Sequence, residues 1–317
     1  MPTVTTNPIP AMTTSLATFY RRGRRSEQIC YLVAAVLFAS GLAHLAVFAV
    51  AGGPWTGPVS WRKPVTFGLS FGLTLATITW VASFLRLPGR SRDRLLMVFA
   101  LACVVEVLVI SVQAWRGVPS HFNLSTPLNA AMAYTAAGGG AVIIATALAL
   151  TVAAFRSPEP PASMRLALRI GFLTFLVALA IGAVMIAEGV GPARTGSQAA
   201  AYTVAVGLKP GHAATMHGIL VLPALAWLLS FTTWTEARRT QIVVVACLSY
   251  LLAAGVVVSE SLTGIDPLSV LAAPIVATAL GVAGTITLLA AAAISIAGLI
   301  RSPAPAGLEH LPLAVDR

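Results

Sequence analysis

Apolar and polar positions fall in long blocks along the chain. Eight mostly apolar runs, at 29–51, 65–85, 95–115, 128–154, 166–187, 213–234, 242–259 and 270–300, are separated by short segments that hold most of the charge. A helix needs about 20 such residues to cross the hydrocarbon of a bilayer. In lipid the backbone must satisfy its own hydrogen bonds, so each run predicts a spanning helix. The expected fold class is all-α, a polytopic transmembrane bundle of about eight spans. Pro274 marks either the true start of the last run or a kink in it. One transmembrane domain, 29–300, follows a basic N-terminus at 1–28 and precedes a tail at 301–317. The first 20 residues, rich in Thr and Pro, and the tail read as disordered. A cleaved signal peptide is the rival reading of the first run, but that run exceeds a usual signal-peptide core.

Composition agrees with the pattern. Hydrophobic residues make up 57% of the 317 and charged residues 9%, and mean hydropathy is +0.88. These values lie far outside those of a soluble domain. The net charge is +10, yet the basic residues stand in short clusters between apolar runs, which excludes a nucleic-acid surface. Their distribution instead orients the chain. Arg21, Arg22, Arg24, Arg25, Arg86, Arg90, Arg92, Arg94, Arg156, Arg165, Arg169, Arg238, Arg239, Arg301 and Arg317 fall on one side. Arg62, Lys63, Arg116, Arg194 and Lys209 fall on the other. The positive-inside rule then places both termini in the cytoplasm, and the arginine clusters read as orientation signals. Lys63 and Lys209 are the only lysines, which points to a high-GC bacterial genome and to a bacterial cytoplasmic (inner) membrane.

A faint internal echo joins the two halves. Gly53-Pro54-Trp55-Thr56-Gly57, followed by Arg62-Lys63-Pro64, resembles Gly191-Pro192-Ala193-Arg194-Thr195-Gly196, followed by Leu208-Lys209-Pro210. Two four-helix halves of the same orientation, 29–154 and 165–300, would produce it, as in parallel transporter repeats; chance likeness of Gly/Pro-rich loops would too. Cys30, Cys103 and Cys247 form no paired motif and read as buried packing residues.

Candidate chemistry concentrates in the outer half. His44 and His217 lie about 10 Å inside the outer ends of the first and sixth spans, at 1.5 Å of rise per residue. Matching depth on different helices is what axial ligation of a b-type haem or a metal site needs. His212 with His217 is a weak metal pair, because five residues apart on a helix is not one face. Glu106, mid-way along the third span with no basic neighbour, is a candidate proton carrier; a neutral carboxyl bonded to another helix is the alternative. Gln113 shares its face. The exit segment from Gln113 to Asn123, with Arg116 and His121, reads either as a structure over the bundle mouth or as interfacial anchoring by Trp115 and Phe122.

Arg62, Lys63, Arg194 and Lys209 are candidate contacts for a small anionic solute or headgroup, against plain snorkelling. Glu188, Glu260 and Asp266 are outer carboxylates expected to pair with those cations, or to act as acid/base groups. Gly138-Gly139-Gly140, Gly182, Gly281 and Gly284 read as helix-packing positions. No phosphate-binding Gly loop or zinc-protease motif is present.

Three segments, Trp61 to Ser70, Gln113 to Asn123 and His212 to Pro223, resemble a family of uncharacterised bacterial multi-spanning membrane proteins. That family carries W-x-K-P-x-K-F-x-x-S, Q-A-x-R-G-x-x-S-H-F-N and H-x-x-x-x-H-x-x-x-x-L-P. Thr66 stands where the family has its second basic residue, so a charge role does not carry over there. The resemblance covers roughly spans two to six and singles out Gln113, Arg116, His121, Asn123, His212 and His217 without implying an activity. Three readings follow: a haem or metal protein for redox or proton chemistry using His44, His121, His212, His217 and Glu106; a proton-coupled small-solute transporter; and a non-catalytic membrane assembly or sensing component.

Overall fold

The computed structural model describes residues 9–195, 197–265 and 275–302. In order these form α1 (Ile9–Arg21), α2 (Arg25–Ala51), α3 (Arg62–Ala82), α4 (Gly89–Trp115), α5 (Pro127–Arg156), α6 (Ala162–Arg194), α7 (Gln198–Gly207), α8 (Lys209–Met216), α9 (Gly218–Ser230), α10 (Glu236–Leu262) and α11 (Ile275–Arg301). No strand occurs among the described residues. Among the described residues eight segments are long and apolar enough to cross a membrane, with α8 and α9 counted as one span. The protein is an all-α polytopic bundle that belongs in a bilayer. Its outward side chains agree with that: Val36, Leu101, Leu108, Leu248, Leu289 and Ile300 are among many large apolar residues left exposed, where only lipid would cover them.

Helix ends follow local chemistry. Gly52, at φ 69°, stops α2 with its N–H donated to the Phe48 carbonyl, a left-handed closure that favours glycine. Thr126 and Thr235 cap α5 and α10 through their hydroxyls. Packing is closest between α2 and α3. A Cβ on Gly68 would stand 2.6 Å from the Gly41 Cα, and one on Gly72 2.7 Å from the Ala34 carbonyl oxygen. The two backbones therefore touch, the small-residue route to helix association in lipid.

One expectation is corrected and one element is added. Residues 9–20, read as disordered, form most of helix α1, because its Phe19 inserts between Trp80 and Phe84 at the end of α3. The connection before Lys209 holds the additional helix α7, started by the Ser197 hydroxyl, which accepts from the Ala200 N–H. Pro274, Asp266, His310 and Arg317 lie outside the described residues.

The two halves repeat specific bonds at nearly the same sequence offset. Trp80, Ser83 and Phe84 at the end of α3 correspond to Trp227, Ser230 and Phe231 at the end of α9, and the two indoles meet edge to face with centroids 6.2 Å apart. The Arg92 guanidinium donates to the Leu85 carbonyl at 2.7 Å; its counterpart Arg239 donates to the Thr232 carbonyl at 2.5 Å. The Ser157 hydroxyl accepts from the Arg86 N–H, and Ser302 accepts in the same way from the Thr233 N–H. Thus α3 and α8–α9 are matching elements, and they touch each other across the middle of the bundle.

Candidate functional site

The α3 and α8 helices both begin with a Lys-Pro pair, Lys63-Pro64 and Lys209-Pro210. Proline suits a first helical turn, where its missing N–H is not needed. The two starts come together around Tyr202, carried by α7. The Lys209 ammonium sits 4.3 Å from the Tyr202 ring centroid and the Lys63 ammonium 5.4 Å from it. The Tyr202 hydroxyl accepts from Arg62 Nη2 at 3.0 Å and from the Gly57 N–H at 3.3 Å. Lys63 also donates to the Pro58 carbonyl at 2.6 Å. Three cations thus share one phenol, and among the described residues none of them is within ion-pair distance of a carboxylate. Like charges at this spacing repel by on the order of 1–2 kcal/mol per pair in a partly desolvated setting. Two helix N-termini add their positive dipole ends. The local field favours an anion.

Arg194, expected with these three, stands exposed at the end of α6, and no hydrogen bond or ion pair ties it to them. Tyr202 is the residue that sequence reasoning missed. The signal available was weak, a lone aromatic in an apolar turn between two basic-flanked prolines.

His121 lies against this cluster. Its ring packs on Phe67 and Phe122, with centroids 5.7 and 6.2 Å away, and its Nδ1 is 3.2 Å from the Ser120 hydroxyl. Burial, with Lys63 and Lys209 nearby, pushes the imidazole down to about 3, so it stays neutral at ordinary pH. Phe122 adopts φ 60°, an uncommon left-handed conformation for an aromatic residue. Its ring occupies the space beside Gly189.

Gln113, Arg116 and Asn123 join in one hydrogen-bonded relay. Arg116 Nη1 donates to Gln113 Oε1 at 2.5 Å and to Asn129 Oδ1 at 2.9 Å, and Gln113 Nε2 donates to the same Asn129 oxygen at 3.2 Å. Asn129 Nδ2 donates to the Ser125 hydroxyl, which donates to Asn123 Oδ1. Asn123 in turn donates to the Pro119 carbonyl. This relay staples the 116–126 connection to the start of α5 and uses the fully buried Gln113 as its anchor. It holds the loop that presents His121.

Glu106 is buried, at 6% exposure, against α5. A Cβ on Gly139 would stand 3.1 Å from its Oε1, and the Gly140 amide is its polar neighbour. The middle of the triple-glycine run therefore makes room for a carboxyl group more than for a helix. Gly281 and Gly284, by contrast, do pack α11 on α10, at Val256 and Ser249.

The histidines are held by separate protein partners. His44 donates from Nδ1 to the Ser40 carbonyl at 2.7 Å and accepts at Nε2 from Trp115 Nε1 at 3.1 Å. Trp61 and Trp115 flank its ring. Both of its nitrogens thus have protein partners. His212 and His217 each direct Nδ1 to a backbone carbonyl, of Ala178 and Ala213. Among the described residues no group of three or more His, Cys, Asp or Glu side chains is placed to hold a metal ion. Glu188 is exposed and Glu260 buried, and neither pairs with a cation among the described residues. The three cysteines are buried and unpaired, as expected of packing residues.

Some arginines read as orientation signals are structural. Arg24 grips Asp93 through two hydrogen bonds at 2.8 and 2.7 Å, Asp93 also accepts from the Ser26 hydroxyl at 2.5 Å, and Arg92 meets Glu27 at 3.6 Å with both side chains buried. Compared with protein-family models, with curated proteins and with solved structures, the chain finds no match.

Proposed function

We propose that this integral membrane protein is a proton-coupled transporter of a small anionic solute, built from two parallel four-span repeats. The observation that carries the proposal is the convergence of Arg62, Lys63 and Lys209 on Tyr202 at the starts of the matching helices α3 and α8, with no described carboxylate to neutralise them. Repeat-built transporters place solute sites where the repeats meet, and use broken helices whose N-termini face anionic groups. Here α8–α9 is interrupted at His217. The charge asymmetry of the connections supports an outer-face position for the cation cluster in a bacterial cytoplasmic membrane, with both termini inside. Ile110 and Ala114 of α4 lie near Lys63, one and two turns from Glu106, the proton carrier in this reading. The segments that resemble the bacterial membrane-protein family contribute Lys63, His121 and the His212–His217 stretch to this same end.

The test uses the purified chain in phosphatidylcholine nanodiscs. Inorganic phosphate or succinate should raise the unfolding temperature, and Lys63→Met or Lys209→Met should weaken that response about tenfold or more. In proteoliposomes the anion that binds should accumulate when the outside is acidic, and Glu106→Gln should abolish accumulation while leaving binding intact. Stabilisation by phosphatidylglycerol with no response to either soluble anion would overturn the solute reading in favour of a headgroup anchor.

A further inference from the structure

A groove of about 240 Å³ opens between α3 and the α8–α9 break. Its wall includes Phe38, Ser70, Thr74, Met216, His217 and Leu220. Ser70 and His217 are matching positions of the two repeats. At 1.5 Å per residue they lie about 10–12 Å along their helices from Lys63 and Lys209, at hydrocarbon depth.

Among the described residues, three polar groups of the groove lack a protein hydrogen bond, as do Ser111, Thr240 and the Trp80 and Trp227 indoles elsewhere in the bundle. Thr66, Thr77, Thr79, Thr146, Thr151 and Thr215 each donate to the carbonyl one turn back, the ordinary way to satisfy a hydroxyl in lipid. Ser70 and Thr74 make no hydrogen bond with any described residue. His217 is exposed, and its Nδ1 donates to the Ala213 carbonyl at 2.6 Å. A carbonyl only accepts, so in the neutral ring the proton is on Nδ1 and Nε2 presents a bare lone pair. Two hydroxyls and one lone pair without protein partners are costly at this depth.

A ligand that relieves that cost has an O–H to donate to Nε2 and an oxygen to accept from Ser70 or Thr74. It is neutral and otherwise apolar. Phe38 and Met216 favour an aromatic ring, through ring–ring and sulfur–ring contact. The volume is below the roughly 300–1,000 Å³ that encloses a whole drug-sized molecule, so the groove takes a head and leaves a tail to the lipid. We propose that the groove binds the ring of a membrane-soluble phenol of the quinol type, hydrogen-bonded to His217 and to Ser70 or Thr74. This site is separate from the anion cluster and does not depend on the transport reading.

Decylubiquinol, kept reduced, is the probe, with the chain in phosphatidylcholine nanodiscs and empty nanodiscs as the partition control. Neutral His217 accepts from a quinol O–H and has nothing to offer a quinone carbonyl. Decylubiquinol should therefore bind about tenfold tighter than decylubiquinone, the worth of one such bond. His217→Phe should remove that preference. His217→Gln, which supplies an N–H donor, should shift it toward the quinone, while size exclusion and the unfolding temperature report that both variants fold. Equal binding of the two redox forms, quinol binding retained in His217→Phe, uptake no greater than by empty nanodiscs, or competition by farnesol as strong as by the quinol would each overturn the proposal. A phosphate response that fails while quinol binding holds removes the anion reading alone.

Discussion

The two ends of the bundle treat positive charge in opposite ways. At the arginine-rich end four cations have carboxylates, Arg24 with Asp93, Arg92 with Glu27, Arg86 with Glu159 and Arg239 with Glu236, while Arg165 and Arg169 donate to backbone carbonyls. At the other end Arg62, Lys63 and Lys209 gather on one phenol, and Arg116 spends its donors on amide oxygens. A paired cation stabilises its own fold, whereas a cluster of like charges held together by the backbone stores repulsion that a ligand can relieve. The contrast separates scaffold from site without reference to any known protein.

The sharpest way to break the comparison is at Glu27, which is 2% exposed. It accepts from the Arg24 N–H at 2.8 Å and pairs with the buried Arg92. Arg92→Met should leave that carboxylate without its cation, a change that costs about 3–5 kcal/mol for a buried pair. Denaturant unfolding in detergent reads it. A loss below about 1 kcal/mol would mean that the arginine-rich end is no better organised than a row of orientation signals. The double variant with Glu27→Gln should recover part of the loss, since both charges are then gone.

How far this contrast is legible in the sequence depends on whether the feature is local. The eight spans are, because apolar length is a property of each segment; the expected 29–51 and 128–154 runs fall inside Arg25–Ala51 and Pro127–Arg156. The Lys-Pro starts of α3 and α8 are local too, and the echo between them marks helices that do meet. The stronger likeness, Trp80 to Phe84 against Trp227 to Phe231, lies inside apolar runs, where hydropathy alone does not distinguish it. What the sequence hides is non-local partnership. Nothing in the spacing of His44 announces that Trp115, on another helix, takes its Nε2. Nothing about three consecutive glycines announces that a carboxylate from α4 lies against the middle one. Phe19 left no trace because α1 is short and only one of its faces is buried.

A smaller effect sharpens the opposite end. If Lys63, Lys209 and Arg62 store repulsion, deleting one of them should cost little. Lys209→Met loses a cation–π contact worth about 0.5–1 kcal/mol and removes repulsion of about the same size or more. Its unfolding free energy in anion-free buffer should lie within about 1 kcal/mol of the parent or above it. Sulfate at millimolar concentration should stabilise the parent more than the variant, because an anion bound only to the folded state adds stability by mass action. A loss of several kcal/mol without anion would place Lys209 among the structural cations and erase the contrast.

The most specific effect is expected from acid. His121 is held down to about 3 by burial and by the neighbouring Lys63 and Lys209, whereas an unfolded histidine titrates near 6.5. Above about pH 6.5 neither state binds the proton, and His121 contributes no pH dependence. As pH falls from 6.5 toward 3 the unfolded chain takes up a proton that the folded chain refuses, so stability declines across that window and levels off below it. His121→Gln keeps a polar side chain beside Ser120 and removes the titration, so its unfolding temperature should fall less between pH 7 and pH 4 than that of the parent. Phosphate should narrow the difference, because an anion on the cluster offsets the charge that keeps the imidazole neutral. Identical acid profiles for the two proteins would show that His121 is not held in the field of Lys63 and Lys209, and the cluster would lose the neighbour that reports its charge.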